Sequence, residues 1–278
     1  MNPHPLQRFF RNAVLTIGAT LVVPTATAAT YTWTQTAGGA QNWTTGENWD
    51  GGTAPSPVSG DTVDFSTVDL LANTTLTLGA TRTATTWKFG DTSGGQTWTV
   101  TGNTLALAGS GATIEVGTAT SISSIFSVTN GTSATATGSG AMSLSNASFT
   151  LGGTASDTTQ ALDLTGLAGD FTYNNSSGTF RVSGTSTSSS GNSTGTLYLA
   201  PTSTITASLF GVGDSAGGAN SGTAPRLNMG TVYLGNSATT INANTITLGN
   251  NKAQGTVQYA SGGGATNPEL TLRGSDGT

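Results

Sequence analysis

The sequence predicts an all-β protein wound as a β-solenoid, and three observations predict it. Short runs in which apolar residues alternate with Thr recur to the end of the 278-residue chain, as in Thr75-Leu76-Thr77-Leu78-Gly79 and Thr245-Ile246-Thr247-Leu248-Gly249. Alternation puts each apolar pair on one face of a strand. Charged residues are only 8% of the chain while 40 positions are Gly and 56 are Thr; disordered chains combine high net charge with few β-branched residues, so this composition points to an ordered β protein instead. A strand-corner unit also recurs fourteen residues apart, Thr231-Val232-Tyr233-Leu234-Gly235-Asn236 against Thr245-Ile246-Thr247-Leu248-Gly249-Asn250. Two apolar side chains per strand bury nothing alone and need like neighbours above and below, which is the logic of a solenoid.

The N-terminus comes first. Met1 to Asn12 carries Arg8 and Arg11 and no acid, Ala13 to Val23 is an apolar run, Pro24 ends it, and Ala26-Thr27-Ala28 supplies small residues. That order is a secretory signal, so residues 1–29 are read as a signal peptide with cleavage near Ala28 or Ala29. Eleven apolar-biased residues are too few to span a bilayer, and no later run approaches eighteen, so the mature chain is expected to have no transmembrane segment. His4, the only histidine, leaves with the leader.

Residues 30–101 form an aromatic opening that holds all five tryptophans, Trp33, Trp43, Trp49, Trp87 and Trp98. It is expected to be an N-terminal cap and the first coils. Residues 102–278 are the plainer body, with apolar pairs such as Leu105/Leu107, Leu162/Leu164, Leu197/Leu199, Val232/Leu234 and Leu270/Leu272 between Gly-, Asn- and Ser-rich corners. At about twenty-odd residues per coil, roughly eight coils follow Gly102, stacked over roughly 40 Å at about 4.8 Å per strand. Narrow Leu/Ile/Val columns are expected inside, a brief helix is allowed at Asp157 to Leu167, and the body reads as incomplete at its C-terminus. A β-sandwich competes, since short strands at 8–12-residue spacing suit it too. Three Gly/Ser/Thr-rich segments, Asn130 to Gly140, Ser183 to Thr196 and Gly211 to Thr223, are expected to be protruding loops.

Charge and chemistry narrow the function. The formal net charge is −5, and without the leader six basic residues face thirteen acidic ones, so nucleic acid is not an expected partner. No cysteine is present, which excludes a disulfide framework and thiolate metal sites. No Ser-His-Asp set, phosphate loop or dinucleotide fingerprint occurs, and no cofactor is implied.

Two stretches carry a family resemblance. Trp33, Asn42-Trp43, Glu47-Asn48-Trp49-Asp50, Pro55, Pro57 and Asp61-Thr62-Val63-Asp64-Phe65 form one; Leu227 to Asn236, Thr240-Ile241-Asn242-Ala243 to Leu248-Gly249, Lys252 and Gly255-Thr256-Val257 form the other. Together they cover about a quarter of the chain and resemble the autotransporter-associated β-strand repeat family of secreted passenger proteins. The resemblance implies a right-handed parallel β-helix, exported and either secreted or held at the cell surface, with an adhesive or structural role and no catalytic residues. Surface glycans or other cell-surface proteins are then the expected partners. The C-terminal membrane barrel of that family, built from many short alternating strands, is not in this sequence; outer-membrane association is expected if one follows.

Four candidate sites stand beside these expectations. Trp33, Trp43, Trp49 and Phe65 suit either a glycan-stacking platform or the apolar lid of the first coil. Asp61, Asp64, Asp69 and Asp91 offer oxygen ligands for calcium, although solvated turn acids explain them as well and no metal site is assigned. Asp157, Asp163 and Asp170, with Arg181 nearby, are an acidic cluster for a polysaccharide-degrading enzyme, which works with paired carboxylates about 5–10 Å apart. The triplets Thr81/Thr83/Thr85, Thr97/Thr99/Thr101 and Thr202/Thr204/Thr206 suggest a flat hydroxyl array of the kind that orders water or binds ice.

Overall fold

The computed structural model describes residues 27–152, 158–184, 193–214, 228–250, 253–260 and 268–278. Most of the expected leader, His4 and Asp157 lie outside these residues. Apart from one 3-10 turn at Gly46–Asn48, the regular structure described is strand.

The chain winds as a parallel β-helix with three faces. Its first coil holds β1 (Thr30–Thr32) and β2 (Gly39–Asn42), its second β3 (Thr62–Phe65), β4 (Thr74–Thr77) and β5 (Arg82–Ala84), and its third β6 (Thr86–Phe89), β7 (Trp98–Thr101) and β8 (Thr104–Leu107). The fourth coil is β9 (Ala112–Val116), β10 (Thr120–Ile122) and β11 (Ile125–Val128); the fifth is β12 (Ser133–Gly138), β13 (Met142–Leu144) and β14 (Ser148–Leu151). From the sixth coil the second and third faces fuse into single long strands. These coils are β15 (Thr158–Leu167) with β16 (Phe171–Val182), β17 (Ser193–Tyr198) with β18 (Thr202–Asp214), β19 (Met229–Leu234) with β20 (Ala238–Asn250), and β21 (Gln254–Tyr259) with β22 (Glu269–Arg273).

Nine strands from β1 to β21 make face 1 and nine from β2 to β22 make face 2, and the named pairs between coils run parallel and mostly in register. Face 3 begins with β5, β8 and β11 and continues through β14 and the second halves of β16, β18 and β20. The strand run crosses the 101/102 boundary without a break, because β7 and β8 flank it within one coil.

Alternation sends one side chain of each pair inward, and register stacks them into columns. On face 2 the column runs Leu76, Val100, Ile122, Leu144, Tyr173, Ile205, Ile241 and Leu272. On face 3 Phe126, Phe149, Phe180 and Phe210 stack at successive centroid spacings of 6.5, 4.6 and 5.7 Å. The body interior therefore holds a largely Leu/Ile/Val column on face 2, as expected, but stacked phenylalanines rather than such a column on face 3. Stacked rings fill the space between three faces better than two methyl groups and add the attraction of offset aromatic contact.

Other expectations are corrected too. Asp157 to Leu167 is not a helix: its described part is β15, whose Gln160, Leu162 and Leu164 all point inward. Asn130 to Gly140 is not a loop, since β12 lies within it and buries Ala134 and Ala136. Of the other two loops, 193–196 belong to β17 and 211–214 to β18, while 185–192 and 215–223 lie outside the described residues. The fourteen-residue repeat does not span one coil, because Thr231 to Leu234 lies on face 1 and Thr245 to Asn250 on face 3 of the same coil. True partners one coil apart, such as Thr113 with Thr135, Leu197 with Val232 and Val232 with Val257, lie further along the chain and at uneven steps. Among the described residues six coils start after Gly102, from β9 to β21.

Candidate functional site

The first coil is closed by the segment after β2. Its 3-10 turn swings the chain back so that Thr34 N–H donates to the Asn48 carbonyl and Asp50 N–H donates to the Thr32 carbonyl. The segment thereby covers the edge of β1 that no strand covers, with Trp33 and Trp49 forming an antiparallel bridge. Trp33, Trp43 and Phe65 are fully buried and Trp49 nearly so. Trp43 and Trp49 pack at 4.6 Å between centroids, Trp33 and Trp49 edge-to-face at 5.1 Å, and Phe65 lies 5.6 Å from both Trp33 and Trp49. Each buried indole N–H has an acceptor, Gln35 O for Trp33, Pro55 O for Trp43 and Trp43 O for Trp49. Arg82 lies over the Trp43 ring at 4.9 Å. No indole face is left to stack on a sugar, so these four side chains work as the lid of the coil.

The carboxylates sit at corners, where each fixes a turn. Asp61 accepts from Ala29 N–H and Val58 N–H, and Asp64 from Ser66 N–H and Oγ. Asp91 accepts from Leu70 N–H with one oxygen and from Gly95 and Gln96 N–H with the other. Burial pushes the Asp91 carboxyl up, but the backbone donors outweigh it and hold it down at about 2. Asp61 and Asp91 thus spend their oxygens on backbone donors, and among the described residues no three Asp, Glu or His side chains converge as metal ligands would.

Of the expected acidic cluster, Asp163, Asp170 and the nearby Arg181 lie at different places on the coil. Asp163 is on the outside of face 1, where it accepts from Thr165 N–H and Oγ1. Asp170 is exposed at the corner before β16, and Arg181 is on face 3, paired at 3.1 Å with the buried Asp214. Asp214 also accepts from Asn250 Nδ2–H, which ties the seventh coil to the eighth. It reaches Arg181 because Gly213 turns the chain at a φ of 60°, where a Cβ would lie 2.0 Å from the Gln254 carbonyl oxygen. Asp157 lies outside the described residues.

One outer surface enlarges on a sequence expectation and a second was not singled out by sequence. On face 2 one outward column is hydroxyl from the second coil to the ninth, after Ala40 in the first: Thr75, Thr99, Ser121, Ser143, Thr172, Thr204, Thr240 and Thr271, one per coil. Two expected triplets, Thr97/Thr99/Thr101 and Thr202/Thr204/Thr206, belong to this face, whereas Thr83 sits in β5 on face 3. Where the column narrows to Ser121 and Ser143, a shallow trough of about 210 Å³ opens beside Thr97, Thr99, Ala119 and Ala141. On face 1, Tyr198 and Tyr233 stack at 4.4 Å, almost parallel, above Asp163 in the same column. Burial, then the Tyr233 and Asp163 charges, raise the Tyr198 hydroxyl above its ordinary value. The signal for this pair was the likeness of Gly195-Thr196-Leu197-Tyr198-Leu199 to Gly230-Thr231-Val232-Tyr233-Leu234, one coil further on. A larger groove of about 520 Å³ follows the corner between faces 3 and 1, past Ser59, Gly109, Ser110, Asn130 and Gly131, and no titratable side chain lines it.

Comparison of the chain with protein-family models, with curated proteins and with solved structures finds no match.

Proposed function

We propose that this chain is an exported structural module of the passenger or adhesin-like kind, secreted or held at the cell surface, whose work is done by shape. The observation that carries the reading is the use of its acids. The carboxylates of Asp61, Asp64, Asp91, Asp163 and Asp214 hold corners and coils together, and the two large grooves are lined by neutral groups. Such a coil presents corner loops and flat outer faces at a fixed distance from its base, and a site for glycans or other surface proteins is grafted onto those faces. The resemblance to the autotransporter-associated repeat family supports the same role.

A second reading, polysaccharide binding along face 2, is favoured by the unbroken hydroxyl column. Neutral hydroxyls at one coil spacing suit the repeating hydroxyls of a neutral glycan. Ice binding is the weaker use of that column, since Ser121 and Ser143 lack the methyl groups of the Thr positions and Asn174 and Asn242 enter the neighbouring column.

The experiment is incubation of the purified chain with a panel of acidic and neutral polysaccharides, scored both for binding and for new reducing or unsaturated ends. The proposal expects binding without turnover. Turnover that is lost in Asp163→Asn would replace it with an enzyme, and thermal hysteresis would replace it with ice binding.

A further inference from the structure

The outer surface of face 1 carries a step. One outward column runs Thr113, Thr135, Asp163, Tyr198, Tyr233 and Gln258, one residue per coil. Tyr198 and Tyr233 lie almost parallel with centroids 4.4 Å apart, close to the strand spacing of about 4.8 Å, so the ring normals run along the coil axis. One face of Tyr198 is therefore spent on Tyr233. Its other face turns toward the preceding coil, where the column continues as Asp163 and then Thr135, side chains much shorter than a phenol. The column drops there from ring height to carboxylate height, with the half-buried Tyr198 ring as the wall and Asp163 as the floor.

A β-bulge aims the floor. Thr135 pairs with Asp163 but Thr137 pairs with Gly166, so β15 spends one residue more than β12 directly after Asp163. Bulges re-aim side chains and gather beside functional sites. Here the bulge turns Thr165 N–H and Oγ1 onto Asp163 Oδ1, while Oδ2 holds no hydrogen bond among the described residues. Burial, then the charges of Tyr233 and Asp163, raise the Tyr198 hydroxyl, which places the carboxylate within electrostatic reach of the ring. The described cations of the chain are engaged elsewhere: Arg82 lies over Trp43, Lys88 pairs with Glu115, Arg181 pairs with Asp214, and Arg273 is on face 2.

We propose that this step binds an arginine side chain of a basic partner polypeptide, the guanidinium lying against the free face of Tyr198 and donating to Asp163 Oδ2. A planar cation suits both parts, since it stacks on an aromatic ring while its fork of donors reaches a carboxylate. The compact ammonium of lysine gains less from the ring. A sugar would need a ring face turned to solvent, and these stacked rings turn their edges outward. The formal net charge of −5 draws a basic segment rather than an acidic one to the surface. The site rests on the reading of the chain as a surface scaffold and names the chemistry of the partner at one of its faces.

The test is calorimetric titration of the whole chain with hexa-arginine, hexa-lysine and a glucosamine oligomer, and hexa-arginine is expected to bind most tightly. Asp163→Asn removes the charge but keeps an acceptor for Thr165, so the bulge stays, and it is expected to weaken hexa-arginine about three- to fivefold. Asp69→Asn removes the same charge from an exposed corner and is expected to change binding far less. Tyr198→Leu is expected to weaken it about two- to fivefold, and Tyr198→Phe, which keeps the ring, to bind as the wild type does. No binding of hexa-arginine, equal losses in Asp163→Asn and Asp69→Asn, indifference to Tyr198→Leu, or a preference for hexa-lysine or the amino sugar would each overturn the proposal. The scaffold reading stands or falls on the polysaccharide panel, so a failed arginine titration strikes this site alone.

Discussion

At the N-terminal end the outermost apolar layer of the coil, Trp33, Trp43 and Trp49, is at most 3% exposed, while at the C-terminal end Ile246, Leu248 and Leu272 are 39–56% exposed. The strands at both ends follow the same alternation, so the difference comes from what lies between them. After β2 the chain spends the segment from Trp43 to Val58 on a turn, two indoles and two prolines that, with Trp33, cover both the backbone edge and the apolar columns. After β20 and β22 the described residues supply no such segment. A repeat fold needs its terminal units finished differently from its middle, and among the described residues the lid over the first coil is such a finish.

Substitutions within single columns sharpen this contrast. The largest effect is expected at the lid: Trp43→Ala removes a fully buried indole and should cost about 3–5 kcal/mol in chemical denaturation. Phe180→Ala, in the middle of the stacked rings, should cost a similar amount. Leu272→Ala, at a half-exposed position of β22, should cost less than about 1 kcal/mol, because most of its surface is already in water. A large loss at Leu272 would mean that the C-terminal end is covered from within.

Next in size is Asp91, whose bonds from Leu70, Gly95 and Gln96 join the second and third coils beneath the lid. Asp91→Asn should cost about 1–2 kcal/mol at neutral pH by weakening bonds to an ionised acceptor. The Asp91 carboxyl is held at about 2 in the folded chain, below the ordinary value of about 3.9. A depressed value adds stability above the ordinary one, and that stability fades as pH falls from about 4 toward 2. Melting temperature should therefore drop over this window in the wild type and drop less in Asp91→Asn; equal acid sensitivity would remove Asp91 from the account. The smallest effect is expected at Lys88→Ala on the outside of face 1, where a 3.1 Å pair with a half-exposed Glu115 is worth about 0.5 kcal/mol or less.

Part of this was legible in the sequence. Alternation of Thr with Leu, Ile and Val pointed to the all-β solenoid, since a strand with one buried face fixes its own periodicity. The tryptophan cluster marked the capped end, because indoles are costly to leave in water and all five fall between Trp33 and Trp98. Coil length was not legible. Phe126, Phe149, Phe180 and Phe210 occupy one column at uneven intervals along the chain, because corners absorb insertions without disturbing register, so the column has no fixed period. The fourteen-residue likeness misled for a related reason: all three faces need the same strand pattern, and adjacent faces of one coil can match better than successive coils. Asp163 and Asp170 separate because the corner between β15 and β16 falls between them, which turns neighbours in sequence onto different faces.

The account rests on the lid that finishes the N-terminal coil, and hydrogen exchange along the chain tests it most directly. The amide of Thr34, which bonds into the lid, should be as protected as amides in the middle coils such as Leu144 and Tyr173, while amides from Glu269 to Arg273, in a strand with one edge unpaired among the described residues, should exchange early. Equal protection of Thr34 and of Glu269 to Arg273, or fraying that begins at the tryptophan lid, would contradict it.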